Sequence, residues 1–159
     1  MSRARDPAVT SRMMAAVKNK DSKAELMLRT RLWAVGLRYR KHHPGLVGRP
    51  DIVFPGARVA VFVDGDFWHG NAWRLRGLAS LADLFPNRTD WWVRKIERNI
   101  QRDREVTDAL TKAGWLVVRV WESRVLREVD VVATEVELLV RRDQRTLMCR
   151  DDATGEAQQ

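Results

Sequence analysis

The stretch Gly48-Arg49-Pro50-Asp51-Ile52-Val53-Phe54, with Val61-Phe62-Val63-Asp64-Gly65-Asp66-Phe67-Trp68-His69 after it, decides how this chain folds and points to its chemistry. A carboxylate leaves a turn at Pro50 and enters an apolar run. A second apolar run delivers two more carboxylates, two aromatic rings and a histidine. Pro-Asp alone reads as an ordinary turn. The second run changes that reading, because a solvated hairpin has no reason to end in Asp-Gly-Asp-Phe-Trp-His. Hard oxygen donors converging at strand ends, with a proton-transfer group alongside, form the layout a magnesium enzyme needs to cut phosphodiesters.

Asp51 to Phe54 and Arg58 to Val63 read as two strands joined by a tight Pro55-Gly56 turn. So short a connection makes the pair antiparallel and brings Asp51 near Val63 and Asp64 at one end. Upstream, Leu37 to Lys41 reads as a short strand and His42 to Arg49 as loop, so His42 and His43 are loop residues first and DNA contacts second. Before that, Asp21-Ser22-Lys23-Ala24-Glu25 has the spacing of a capping box, Ser22 with Glu25, opening a helix that runs to about Val35 and stops at Gly36. Leu28, Leu32 and Val35 form its apolar stripe. Glu25 lies on nearly the same face, so it is either the cap alone or an inward-facing carboxylate of the site. A shorter amphipathic pattern, with Val9, Met13, Met14 and Val17, covers Pro7 to Lys18.

Downstream, Gly70 to Pro86 is mostly loop. A long helix starts near Thr89 or Asp90 and ends before Gly114, with Trp92, Ile96, Val106, Leu110 and Ala113 on one face. Asn99 and Asp103 fall in the middle of that face, and polar groups on a stripe meant for burial need partners there. Arg94, Arg98 and Arg102 lie opposite, facing phosphate or simply water. Gly114 to Trp121 is a β-branched apolar run, read as a buried strand. Strand, helix and strand in that order imply a βαβ crossover and a parallel pair. Glu122 and Ser123 end the strand, and a final helix spans Val129 to Val140 with Val132, Val136, Leu139 and Val140 inward.

Composition bounds the rest. The chain has 159 residues, 45% of them hydrophobic, which suffices for one domain with its own core. That domain is expected over residues 1–142, followed by a polar, fraying tail over 143–159. A single cysteine excludes a disulfide framework and a cysteine-based zinc cluster. With no apolar run of bilayer length and no signal-peptide core at the start, a cytoplasmic protein is expected. The net charge of +8 favours a polyanionic partner, though it carries no sequence specificity. Most of the seven tryptophans read as core. Phe67 and Trp68 sit beside the candidate ligands, where aromatic rings can wedge between bases.

Gly48-Arg49-Pro50-Asp51, Phe67-Trp68-His69, Arg88-Thr89-Asp90 with Trp92, Lys95-Ile96, Asn99, Arg102-Asp103, Gly114-Trp115 and Val120-Trp121-Glu122 together resemble the very-short-patch repair (Vsr) endonucleases. The resemblance runs over roughly residues 5 to 140, in order and with similar spacing. It implies an α/β fold of the restriction-endonuclease-like PD-(D/E)XK type, a three-layer core with a mixed central sheet flanked by helices. It also implies a magnesium-dependent enzyme that nicks one strand of double-stranded DNA beside a T:G mismatch left by deamination of 5-methylcytosine. Asp51 then matches the metal-binding aspartate, and Val63 a position that offers only its backbone carbonyl to the metal. His69 matches the catalytic histidine, and Glu25 an acid that hydrogen-bonds metal-bound water. Phe67, Trp68 and Trp92 match intercalating aromatics, while Lys95, Asn99 and, beside them, Arg102 belong to the DNA-binding long helix. A monomer is expected, with mismatch-repair proteins as candidate partners.

Two departures stand out. Where the best-known members hold a structural zinc, this chain has Asp66, Asn71, Trp73 and approximately Ser123, so no structural zinc is expected and packing by Trp73 and Phe85 has to hold that region. Asp64 replaces a histidine; it is either a second metal ligand beside Asp51 or a solvated turn acid. The lysine of the general PD-(D/E)XK arrangement is missing, with Asp66 in its place. Two other classes stay open: a restriction-type or modified-DNA endonuclease of the same fold acting on intact duplex, and a non-catalytic DNA-binding module. Binding alone requires none of Asp51, His69 and Glu25, which weighs against the last.

Overall fold

A computed structural model gives the fold; it describes residues 21–155, with side chains through residue 142. Four strands make one sheet in the order β1 (Arg40–Lys41), β2 (Ile52–Phe54), β3 (Val59–Asp64) and β4 (Leu116–Trp121). The first two pairings are antiparallel and the β3–β4 pairing is parallel. β3 sets the layering because its side chains alternate between the two faces. Val59, Val61 and Val63 join Ile52, Phe54 and Val120 on one face, beneath α1 (Lys23–Ala34) and α4 (Glu122–Gly155). Ala60 and Phe62 turn the other way, against Leu110 and Val106 of α3 (Thr89–Lys112). The result is a helix–sheet–helix sandwich, an α/β architecture with a mixed sheet.

Each helix has a local cause. Ser22 accepts from the Glu25 backbone N–H at 3.2 Å while Glu25 reaches back to the Ser22 N–H, the reciprocal capping box the sequence announces. Ala24, Leu28 and Leu32 of α1 are fully buried against Val132, Val136 and Val140 of α4. α3 fills the crossover between the parallel strands, with Ile96 and Leu110 buried and Arg94, Arg98 and Arg102 exposed. Among the described residues no helix is long and apolar enough to cross a membrane.

Several boundaries differ from the sequence reading. The expected strand from Leu37 shrinks to Arg40–Lys41, because Leu37 is drawn into the core and only the next residues reach β2. Pro55 to Ala57 form a 3-10 turn rather than a two-residue hairpin, and Arg58, left-handed at φ 51°, leaves the strand to start at Val59. The segment from Gly70 contains a short helix α2 (Ala72–Leu75) and a 3-10 turn at Leu81–Leu84. α4 begins at Glu122 and breaks at Glu128 (φ −138°, ψ 42°), so its regular part starts at Val129 as expected and runs to Gly155 rather than ending at Val140. Val35 and Ala113 are exposed ends of helices rather than parts of the buried stripes. The amphipathic pattern over residues 7–18 lies outside the described residues.

The loop into β2 depends on one glycine. Gly48 has φ +75°, and a Cβ there would meet Val106 Cγ1 of α3 at 2.4 Å. Gly48→Ala therefore suffers both backbone strain and overpacking, and should lose on the order of 2–4 kcal/mol in denaturant unfolding. Gly56→Ala, whose added Cβ would meet nothing within 4 Å, should stay within about 0.5 kcal/mol. Equal losses at both positions would contradict this account of the loop.

Candidate active site

Asp51 emerges from the buried Pro50 immediately before β2, beside the end of β3. Its Oδ2 accepts the Val63 backbone N–H at 2.8 Å. Its Oδ1 lies 3.8 Å from His42 Nδ1, beyond hydrogen-bond reach. Burial pushes the Asp51 carboxyl up to about 6; the Val63 N–H partly opposes this, and the charges of Glu25 and Asp64 add to it. The antiparallel pairing thus sets Asp51 against Val63, as the sequence reading expected.

Two groups of charges flank Asp51, each gathered around an arginine. In the first, Arg29 pairs with Asp21 at 2.6 Å and with Glu25, and its side chain is 5% exposed. Glu25 closes the capping box and is itself buried, so it also faces inward. His42, read from the sequence as a loop residue, stands within this group: its Nε2 is 3.8 Å from Asp21 and 3.9 Å from Glu25, and has no hydrogen-bond partner. The ligand atoms of Asp21, Glu25 and His42 converge to within 4.8 Å, but Arg29 already neutralises both acids.

The second group brings in Arg119, which the sequence reading passed over. His69 Nδ1 is 2.5 Å from Asp103 Oδ2, the acid that the helix pattern placed on the buried stripe of α3. Asp103 Oδ1 pairs with Arg119 Nη2 at 2.8 Å. Arg119 also holds both oxygens of Asp64, at 2.7 and 2.8 Å. Asp64 is 7% exposed, so it is not a solvated turn acid; both its oxygens face a guanidinium. Burial draws the His69 imidazole down, but the hydrogen bond to Asp103 and the charges of Asp64 and Asp103 outweigh it, and the net shift is upward. With Nδ1 donating to Asp103, Nε2 carries the lone pair free to take a proton.

Next to His69, the aromatic residues pack edge to face. Phe67 meets Trp68, Phe85 and Trp92 at 5.0, 5.9 and 5.6 Å between ring centres, and Trp92 stacks on Phe85 at 5.2 Å. Lys95 Nζ lies 5.2 Å from the Trp68 ring and 5.9 Å from Trp92. Phe67, Trp68 and Trp92 are each half-buried, and Trp91 at the same corner is 43% exposed. Asn99 Nδ2 donates to the Trp68 carbonyl at 3.0 Å, so this amide steadies the loop itself. Asp66 accepts from Asn71 Nδ2 at 2.6 Å and from the Ser123 N–H and hydroxyl at 2.9 and 2.8 Å. These bonds tie the loop after β3 to the start of α4. Phe85 packs in the aromatic cluster, whereas Trp73 lies against Arg74, so packing by those two residues is only part of what holds the region.

Asp51 offers two carboxylate oxygens, and its burial carries a testable cost. Its folded pKa of about 6 exceeds the ordinary 3.8, so the metal-free folded state binds this proton more tightly than the unfolded chain. Stability from this group therefore falls as pH rises from about 4 to about 6 and stays low above that. Asp51→Asn keeps an acceptor for Val63 and removes the buried charge. It should stabilise the metal-free protein at pH 7.5 by on the order of 1–3 kcal/mol, at about 1.4 kcal/mol per pK unit. The gain should vanish near pH 4 in thermal melts; a destabilised variant at pH 7.5 would contradict the assignment.

Comparisons with known proteins identify the family. A family profile described as DNA mismatch endonuclease Vsr matches residues 3–75. The chain is 44% identical over 135 residues to the type II nicking enzyme V.NmeDIP of Neisseria meningitidis serogroup C, covering 85% of this chain and 88% of that one. It is 42% identical over 125 residues to the type II nicking enzyme V.HpaIIP of Haemophilus parainfluenzae, covering 79% and 85%. With the DNA mismatch endonuclease Vsr of Escherichia coli it shares 35% identity over 117 residues, covering 74% of this chain and 71% of that enzyme. The chain is an endonuclease and belongs to the Vsr family.

Proposed function

We propose that this endonuclease nicks one strand of duplex DNA at T:G mismatches arising from deamination of 5-methylcytosine, using magnesium, on a PD-(D/E)XK core formed by a single domain over residues 1–142. The observation that carries the proposal is the convergence at one end of the sheet of three elements: Asp51 against Val63, the His69–Asp103 pair, and the half-buried aromatic cluster. Asp51 and the Val63 carbonyl would hold the metal, with Glu25 reaching it through water. The all-oxygen donor set suits magnesium. When bound, the cation supplies charge neutralisation at the phosphate.

The remaining steps belong to the chain. His69 Nε2 accepts the proton of the attacking water, while Asp103 fixes the ring through Nδ1. Phe67, Trp68 and Trp92 enter the base stack where it is weakest; unstacking a step costs a few kcal/mol and least at a mismatch. Lys95 and the exposed Arg94, Arg98 and Arg102 on α3 serve the phosphates. The chain acts as a monomer, since a nick requires one active site.

A second reading has its own support. The two type II nicking enzymes match at 44% and 42% identity against 35% for the mismatch endonuclease. Under that reading the chain nicks intact duplex in a restriction context.

Cleavage of duplexes with each strand labelled separately, with and without a central T:G pair, separates the two. Nicking of the thymine strand in the mismatched duplex alone is expected, and equal cutting of paired DNA would move the chain to the second reading. Asp51→Ala should abolish cleavage while leaving DNA binding largely intact. His69→Ala should slow the single-turnover rate by about 10² or more. Trp68→Ala should lower the preference for mismatched over paired duplex, and unchanged preference would make these aromatic residues plain packing.

A further inference from the structure

Arg119 interrupts the alternation of an otherwise apolar strand. In the register of β4 on β3 it stands opposite Phe62, its guanidinium 4.6 Å from that ring, on the face toward α3. Two carboxylates approach the same nitrogen of His69: Asp103 at 2.5 Å and Asp64 at 3.8 Å. Only one of them can take the Nδ1 proton at a time. Arg119 separates them. Its Nε and Nη2 occupy both oxygens of Asp64, at 2.7 and 2.8 Å. Nη2 also holds Asp103 Oδ1 at 2.8 Å, and Nη1 reaches the Asp103 backbone carbonyl at 3.4 Å. Asp103 Oδ2 is thereby left turned to His69.

We infer that Arg119 is a positioning residue for the hydrolytic step: it keeps Asp64 off His69 and holds Asp103 onto it. The inference rests on the reading of His69 as the proton-transfer group. Lysine cannot replace this function, because one ammonium lacks the planar fork that grips two carboxylates together. Arg119 acts through Asp103 and His69, since its guanidinium holds Asp103 and Asp103 in turn holds the His69 ring. Its loss should therefore lower the rate of the bound complex without changing DNA affinity.

The test uses the full chain, its duplex substrate in single-turnover cleavage, and DNA binding by fluorescence anisotropy. Wild type and His69→Ala serve as references. Arg119→Ala should lose about 100-fold in rate, the scale of a small misplacement of a catalytic group. Its DNA Kd should move by less than about threefold, within what a preserved interface allows. Millimolar guanidinium should recover part of the rate in Arg119→Ala and none in His69→Ala. A rate within about threefold of wild type, or a loss that guanidinium leaves untouched in a folded variant, would overturn the inference. Should Arg119→Ala fail to fold, Arg119→Lys decides: a slower rate at equal Kd supports positioning, and a wild-type rate refutes it.

A second readout needs no cleavage. The chain has three histidines, so the His69 ring protons can be assigned by NMR. A strongly deshielded Nδ1 proton, bonded to Asp103, is expected in wild type and should be lost or shifted in either folded Arg119 variant. The same signal in both variants would refute the role. If the wild type cuts no duplex, the nuclease reading falls while this signal still judges Arg119.

Discussion

The register of β3 is the constraint on which the rest depends. Side chains alternate along it, so Val59, Val61 and Val63 bury toward α1 and α4 while Phe62 and Asp64 face α3. A slip of one residue would send Asp64 into the apolar core and Val63 out toward Arg119. Pairing with β2 fixes where Asp51 meets the Val63 N–H, and parallel pairing with β4 fixes where Arg119 meets Asp64. The loop that leaves β3 then carries Phe67, Trp68 and His69 to the same end. It is secured by the bonds of Asp66 to Ser123 and of Asn99 to Trp68.

Asp51 and the acids of the two flanking groups, Asp21, Glu25, Asp64 and Asp103, gather at that end, and the buried charges among them cannot stand alone. Removing a single ion from water costs several kcal/mol even after relaxation. Two arginines pair the flanking acids: Arg29 with Asp21 and Glu25, Arg119 with Asp64 and Asp103. Among the described residues Asp51 has neither arginine nor lysine in an ion pair, only a backbone N–H and a distant imidazole. The raised proton affinity of Asp51 is the consequence. Under the proposed function a divalent cation beside Asp51 would offset that buried charge.

Much of this was legible in the sequence. Two β-branched runs around Pro55-Gly56, the long 3.6-residue period after Thr89 and the β4 run placed the sheet, its pairings and α3. Asp51 beside Val63 followed from strand pairing, and Asp103 on the buried stripe signalled a partner without naming it. His42 was not legible, because its place depends on a left-handed turn (φ 43°) and on α1 packing across the site. Arg119 gave a signal that went unread: a charge inside an apolar strand needs an acid on the same face. The Asp66–Ser123 bonds join residues 57 apart in the chain, and no local pattern encodes such a contact.

The central claim is that Asp51, and neither arginine-paired group, takes the cation. Anomalous diffraction from crystals of the full chain grown with duplex and manganese tests it most directly. The account predicts a peak within coordination distance of Asp51 and the Val63 carbonyl, about 2.0–2.3 Å. A peak between Asp21, Glu25 and His42, or on Asp64 with Arg119 displaced, and none at Asp51, would contradict it.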